Sequence, residues 1–408
     1  MRWFIFILIY VLIDIYSYQA VRTITKNSWI LILYFLISFG VLTALYIILN
    51  ANGSPNFMAP PRNYFFGLFL VVFLPKLLLV IFMFGEDVMR FFTGMYFKFS
   101  ANDSDFYLPS RRKFISVMAL GVAAIPFTSL LYGIIKGRYN YKVLKYELEF
   151  DDLPEAFDGY TITQISDIHS GSLDNEKKIQ YAVDLINEQK SDVILFTGDL
   201  VNNVVEEMNH WKSLFSTLKA KDGVFSILGN HDYGDYVRWE NESDKIKNLS
   251  ELKKLQADMG WDLLLNEHRF LEKNNDRIAL IGVENWGENG FKKAGDLDKA
   301  FEGVLQNDFK IVMSHDPSHW KSVVKKDSRN FQLTLSGHTH GMQFGIEIPG
   351  WIKWSPIKYR YENWAGIYEE QGRFINVNRG FGYLGYPGRV GIWPEITVIK
   401  LKKKSISV

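Results

Sequence analysis

Five short motifs in this 408-residue chain carry side chains that could do chemistry. They are Asp167-Ile168-His169, Gly198-Asp199, Gly229-Asn230-His231-Asp232, Ser314-His315-Asp316 and Gly337-His338-Thr339-His340-Gly341. Each follows a short β-rich run, at residues 162–166, 193–196, 224–228, 311–313 and 333–335. In open α/β sheets ligands gather beyond the carboxyl ends of strands, so the five groups are expected to converge. Glycines in the turns let the chain fold back tightly enough to aim the side chains. Five of the eight histidines lie in these motifs; His210, His268 and His319 lie elsewhere.

One such histidine would ordinarily be a hydrogen-bonded core residue. Asp167, His169, Asp199, Asn230, His315, His338 and His340 packed together without a cation would leave donors and acceptors unsatisfied, at ~1–3 kcal/mol each. A metal centre relieves that penalty. Oxygen and imidazole donors without thiolate suit Mn, Fe, Zn or Co, with Mn favoured. The chain has no cysteine, which removes disulfides, thiolate zinc sites and cysteine nucleophiles together. In the His-x-His segment alternate residues point the same way, so His338 and His340 can both face the metals.

The elements that must position these groups alternate. β-rich runs at 160–166, 192–196, 223–228, 277–283, 310–313 and 332–335 are interleaved with amphipathic helical stretches near 175–188, 205–218 and 249–259. This predicts an α/β layered domain over 141–408, with a largely parallel or mixed sheet.

Residues 1–137 read differently, as an all-α transmembrane region. Apolar segments at 3–18, 29–49, 65–84 and 114–135 each approach the ~20 residues that cross a bilayer. The first is short and interrupted by Asp14. Lys76, midway along the third, is expected to face a helical neighbour or snorkel. Arg22, Lys26, Arg90, Lys98, Arg111, Arg112 and Lys113 put the two inner loops in the cytoplasm and the domain after Gly137 outside. Ser110-Arg111-Arg112-Lys113-Phe114-Ile115 resembles a twin-arginine export signal and reads equally as an ordinary basic anchor. Residues 86–109 alternate aromatics with charges, as a membrane-surface segment or a polar loop would. The localisation expected is a multi-pass membrane protein with an extracytoplasmic domain. Lys+Arg 46 against Asp+Glu 45 gives no polycation, so nucleic acid is not an expected partner. Oligomeric state is not legible.

In order and spacing the five motifs resemble the calcineurin-like metallophosphoesterase superfamily, whose pattern is D-x-H, G-D, G-N-H-[DE], H, G-H-x-H. The resemblance covers about residues 144–401 and is nearer to bacterial membrane-anchored members with an N-terminal multi-span region. Asn378-Arg379-Gly380-Phe381-Gly382 and Pro394-Glu395-Ile396-Thr397-Val398 look like that group's ending. The fold it implies is a four-layer α/β/β/α sandwich around two divalent metal ions. It also implies one metal on Asp167, His169, Asp199 and His340, and a second on Asp199, Asn230, His315 and His338, with Asp199 bridging. Two cations ~3.5–4 Å apart bind a phosphoryl oxygen, lower the pKa of a bridging water and stabilise transition-state charge. His231 resembles the family's general acid. Asp232 is a candidate for orienting it, or a turn-forming residue.

Protein phosphatases of the superfamily extend the second motif as G-D-x-x-D-R, where this chain has Gly198-Asp199-Leu200-Val201-Asn202-Asn203. The missing Asp and Arg argue against a Ser/Thr protein phosphatase and toward small monoester, diester or pyrophosphate substrates. Arg379 and Arg389 are candidate replacements as phosphate clamps. Residues 348–368 hold Trp351, Trp354, Tyr359, Tyr361, Trp364 and Tyr368. These read as a substrate wall, a bilayer contact or ordinary loop packing. The function expected is hydrolysis of a lipid or envelope phosphoester. The alternatives are a nucleotide–lipid pyrophosphatase of the UDP-2,3-diacylglucosamine type, a non-catalytic metal-binding membrane protein, and a transporter with an accessory domain.

Overall fold

The computed structural model describes residues 2–50, 60–99, 109–288 and 290–404. Its contacts divide the chain into two compact units, with the main boundary between Ile135 and Lys136.

The first unit contains four helices, α1 (Arg2–Ile24), α2 (Ser28–Asn50), α3 (Pro60–Phe99) and α4 (Pro109–Ile135), each long and apolar enough to span a bilayer. Asp14, which interrupts the first apolar run, does not break its helix. The ammonium of Lys76 on α3 donates to Asp14 Oδ1 at 2.5 Å and to Ser38 Oγ of α2 at 2.6 Å, and Ser38 Oγ lies 2.8 Å from Asp14 Oδ1. Two charges that would each be expensive in hydrocarbon thus meet, buried, across three helices. Lys76 takes the helical neighbour rather than snorkelling.

Helix α3 differs from expectation. Its 40 residues span ~60 Å, about twice a bilayer's hydrocarbon core. The stretch from Glu86 to Phe99 is therefore neither a separate surface segment nor a loop but a continuation of α3; residues 100–108 lie outside the described residues. Its charges are used within the bundle. Arg112 of α4 reaches Glu86 Oε2 at 3.1 Å and Asp87 Oδ1 at 2.5 Å, and Tyr16 of α1 donates to Asp87. One arginine of the Arg111-Arg112 pair therefore has a structural partner within this unit.

The second unit contains β1 (Lys142–Phe150), β2 (Thr161–Ile165), α5 (Glu176–Glu188), β3 (Val193–Phe196), α6 (Lys212–Phe215), β4 (Val224–Ser226), α7 (Glu242–Asp258) and β5 (Trp261–Leu263). It continues with β6 (Glu267–Lys273), β7 (Asp276–Val283), α8 (Leu297–Phe301), β8 (Phe309–Ser314), α9 (Ser318–Ser322), β9 (Leu333–Ser336), β10 (Ile346–Ile348), β11 (Ile352–Trp354), β12 (Gly366–Glu370), β13 (Arg373–Val377) and β14 (Glu395–Lys403). Two six-stranded mixed sheets form, ordered β1-β14-β2-β3-β4-β5 and β12-β13-β9-β8-β7-β6.

Strand periodicity builds the layers. Val193 and Leu195 of β3 point into the core shared with the second sheet, beside Ile278 and Leu280 of β7 and Ile311 and Met313 of β8. Ile194 and Phe196 point the other way, onto Ile179 and Val183 of α5 and Leu252 of α7. Ala279 and Ile281 likewise face Leu297 of α8 and Trp320 of α9. The result is the α/β/β/α sandwich. The expected helix over 205–218 is broken into a 3₁₀ turn at Val205–Met208 and the short α6, since β-branched Val204-Val205 and Asn209-His210 propagate helix poorly. Beyond the expected strands lie β1, β5, β6 and β14, the hairpin β10–β11 and the pair β12–β13 at one sheet edge.

Candidate metal centre

The carboxyl ends of β2, β3, β8 and β9 and the loop after β4 meet where the two sheets abut, and all five motifs lie there. Tight turns aim them. Asp167, His169, Asp199, His338 and His340 have φ of +53°, +49°, +62°, +72° and +51°, a left-handed conformation costing such residues of order 1–3 kcal/mol each. Two glycines permit the approach of the loops. A Cβ at Gly229 would sit 2.2 Å from Asp199 Oδ1, and one at Gly337 would sit 2.3 Å from Asp167 Oδ2.

Ligand atoms of Asp167, His169 and His340 lie together, as do those of Asp167, Asp199 and His315, all buried. His340 Nε2 is 3.2 Å from Asp167 Oδ1 and 2.9 Å from His169 Nε2. Asp199 Oδ2 lies between two rings, 3.1 Å from His315 Nε2 and 3.6 Å from His169 Nε2. His338 Nδ1 is 2.8 Å from Asn230 Oδ1, and the His338 and His315 ring centroids are 5.2 Å apart. Asp167 thus takes part in both clusters, one more than the resemblance implies.

The hydrogen bonds of the rings decide whether cations fit. His315 Nδ1 faces the Thr197 carbonyl at 2.7 Å and must donate to it, so its Nε2 presents a lone pair toward the Asp199 carboxylate. His169 Nδ1 is likewise turned to Asn202 Oδ1 at 3.1 Å, leaving its Nε2 facing that of His340. His340, with Nδ1 3.4 Å from the Arg389 guanidinium, can donate from Nε2 to His169. At His315, by contrast, an acceptor faces an acceptor in a buried site, which only a proton or a metal ion reconciles. The same conflict shows in the titration of His315. Burial alone would push its pKa down, yet the facing Asp199 carboxylate raises it to about 10. Asp199, despite burial, is held well below the usual carboxylate range by His315. A divalent ion would satisfy these donors without a proton.

His231 and Asp232 do not act as a pair. The His231 Nδ1–H donates to the carbonyl of Asn202 at 2.8 Å, and its ring stands 4.9 Å from that of His169. Asp232 accepts instead from the amides of Gly229, Asp199, Leu200 and Val201, at 2.8–3.3 Å. Burial and the neighbouring Asp199 raise its pKa to about 7. Its carboxylate ties the loop at 199–201 to the loop at 229–232, and the group that holds the His231 ring is the Asn202 carbonyl.

Neither arginine is placed to clamp phosphate. Arg379 is committed to Glu395 and, at 2.6 and 3.0 Å, to Glu347. Arg389 is fully buried behind His340 and donates to the carbonyls of Gly380 and Gly382. The acids that occupy Arg379 arrive from distant sequence, which is why its type and position looked suitable.

Three residues support the centre in a role not read from the sequence, where Tyr361 figures only among the aromatics of residues 348–368. Asn202 holds both His169 and His231; its sequence signal is its place where protein phosphatases have the second Asp of G-D-x-x-D-R. Tyr361 Oη lies 2.9 Å from His338 Nε2, and Tyr236 accepts from Asn230 at 2.8 Å while packing on the His231 ring. Beside Tyr361 opens a cavity of about 280 Å³ lined by Glu288, Ser318, Lys321, Arg360 and Asn363. Asn202→Ala removes the side-chain partner of His169 while keeping the carbonyl that holds His231. We expect metal affinity to fall about 10–100-fold, read as the metal concentration for half-maximal activity.

Sandwich, strand-end histidines and carboxylates, and preceding apolar helices together are those of a calcineurin-like metallophosphoesterase with a transmembrane domain. Residues 160–342 match the calcineurin-like phosphoesterase family, and residues 1–138 match the "probable calcineurin-like phosphoesterase, transmembrane domain". The chain is 28% identical over 298 residues to a zebrafish (Danio rerio) "transmembrane protein with metallophosphoesterase domain", covering 71% of this chain and 63% of that protein. It thus spans less than two thirds of that relative. Identity is also 28% over 305 residues to the metallophosphoesterase YkuE of Bacillus subtilis, covering 72% of this chain and 98% of the relative. Among solved structures, the phosphopantetheinyl hydrolase of Mycobacterium tuberculosis overlays 54% of this chain and 89% of its own, at 10% identity and TM-score 0.33. The enzymatic reading takes precedence over a non-catalytic metal binder or a transporter accessory domain.

Proposed function

We propose that this enzyme hydrolyses a small phosphomonoester, phosphodiester or pyrophosphate of a lipid or envelope component, using two divalent cations, on the extracytoplasmic side of the membrane. The observation that carries the reading is the Asp199 carboxylate lying between His315 on one side and His169 on the other, with Nδ1 of each ring turned away to an oxygen acceptor and Nε2 toward the carboxylate. Asp167, His169 and His340 would hold one ion and Asn230, His315 and His338 the other, with Asp199 shared and manganese the favoured metal. When bound, such a pair supplies Lewis-acid polarisation and a nucleophile at neutral pH.

The chain's own residues do the rest. The turns at Asp167, His169, Asp199, His338 and His340 fix the ligands before substrate arrives, so no reorganisation is needed at the moment of reaction. His231 keeps its Nδ1–H on the Asn202 carbonyl, so Nε2 is the nitrogen turned to the departing alkoxide. It gives a proton there only from the doubly protonated ring, a form that burial disfavours by lowering the His231 pKa. Arg360 in the adjoining cavity offers positive charge to a phosphate that Arg379 and Arg389 do not reach, while Lys321 there is paired with Glu362 at 2.7 Å.

His231→Ala is expected to slow hydrolysis of alkyl esters about 10²–10⁴-fold. It should leave p-nitrophenyl esters, whose leaving group needs no proton, much less affected. Steady-state rates on both classes check this, and equal slowing of both would remove His231 as the acid. The substrate is tested by assaying the full chain in vesicles, loaded with manganese, against monoesters, diesters, nucleotide sugars and lipid phosphates. Faster turnover of soluble esters than of every lipid phosphate would refute the lipid assignment. A reporter fused at the C-terminus and active only outside the cytoplasm tests the topology.

A further inference from the structure

The segment that follows the last metal-ligand motif is built inside out. Along residues 342–348 the polar and small side chains turn inward. Gln343 is buried and bonds the carbonyls of Tyr386 and Gly388, Gly345 leaves no room for a side chain beneath Trp354, and Glu347 is held by Arg379. The alternate positions, Met342, Phe344, Ile346 and Ile348, are apolar and exposed. An ordinary strand does the reverse.

The pairing of β10 with β11 extends this face. Glu347 lies opposite Lys353, whose ammonium donates to the Ala365 carbonyl at 2.5 Å on the inner side, and Ile348 lies opposite Ile352 on the outer. At the turn stands Trp351, 81% exposed, and the following turn presents Tyr359 at 77%. A lone two-stranded hairpin is marginal in water, but its inner face is pinned to the domain by the Glu347–Arg379 pair. The apolar outer face is thus held out rather than left loose.

We infer that residues 342–359 form a bilayer-docking surface of the catalytic domain, with Trp351 and Ile348 entering the headgroup–acyl boundary. The composition suits lipid more than a protein partner. A tryptophan and a tyrosine flank aliphatic side chains, as in interfacial anchors. Glu347, already paired with Arg379, is the only acid between Met342 and Tyr361, and with Lys353 turned inward the basic groups left to the outer face are Lys358 and Arg360, so the charge favours anionic headgroups. The chain is itself attached to a bilayer by α1–α4, so even weak docking is favoured by a high effective concentration. The inference concerns a surface, not the reaction, and stands whichever ester is cleaved.

The absence of cysteine makes the test direct. The full chain carrying Trp351→Cys is labelled with an environment-sensitive fluorophore and reconstituted in vesicles of phosphatidylcholine and phosphatidylglycerol. Ile246→Cys, at an exposed position on α7, serves as the reference. The label at 351 is expected to shift to the blue, to lose emission to spin-labelled lipid and to resist aqueous iodide, while that at 246 does the opposite. Equal iodide access at both positions overturns the inference. So does a label at 351 shielded from lipid and water alike, together with disulfide-linked dimers when the unlabelled Trp351→Cys chain is oxidised, which would assign the face to a second copy. Ile348→Cys is the second reporter should Trp351→Cys not fold; the readout is fluorescence, so loss of turnover does not bear on it.

Discussion

Asp199→Asn will abolish metal-dependent phosphoester hydrolysis while leaving the fold intact. The substitution is nearly isosteric, and its retained oxygen can still accept from the His231 amide, which donates to Asp199 Oδ1 at 2.8 Å. What disappears is the negative charge between His315 and His169. Without it only Asp167 would be common to the two clusters, and the two ions would be less well screened from one another. Metal ions contribute several kcal/mol of transition-state stabilisation, so kcat on a p-nitrophenyl diester should fall about 10³-fold. A variant that unfolds at the parent temperature yet turns over normally would remove Asp199 from the chemistry.

Lys76→Met will be strongly destabilising although it replaces a charge with an apolar side chain inside an apolar helix. Asp14 is fully buried, and Lys76 is its cationic partner at 2.5 Å, with the rings of Tyr34 and Tyr10 4.8 and 5.4 Å from the ammonium. Removing one member of a buried pair leaves the other uncompensated, a loss of about 3–5 kcal/mol. The double variant Asp14→Leu/Lys76→Met should recover most of it, because no charge is then stranded. Thermal unfolding of parent, single and double variants in detergent checks the sign. A single variant as stable as the parent would show that the contact contributes nothing.

The centre was legible because its residues are local in sequence. D-x-H, G-D, G-N-H-D and G-H-T-H each lie within a few positions of a strand end, and strand ends in such sheets converge by topology. Asn202 was visible only as a departure from a related pattern, and its work, one ring on its side chain and another on its carbonyl, needs coordinates. Long-range pairing was the part the sequence hid. Arg379 looked free because Glu347 and Glu395 are neighbours only after folding, and Asp14 looked like a flaw in a span because Lys76 is 62 residues away. The hairpin β10–β11 escaped because its aromatics were read by count. Its alternation becomes informative once the inner face is known to be the polar one.

The most direct test is the metal content of the full chain, purified without chelator and loaded with manganese, by elemental analysis beside Asp199→Asn. Two adjoining ligand sets predict two ions per chain in the parent and a loss of at least one in the variant. A parent that holds fewer than one divalent ion per chain while hydrolysing phosphoesters at its full rate would contradict the account.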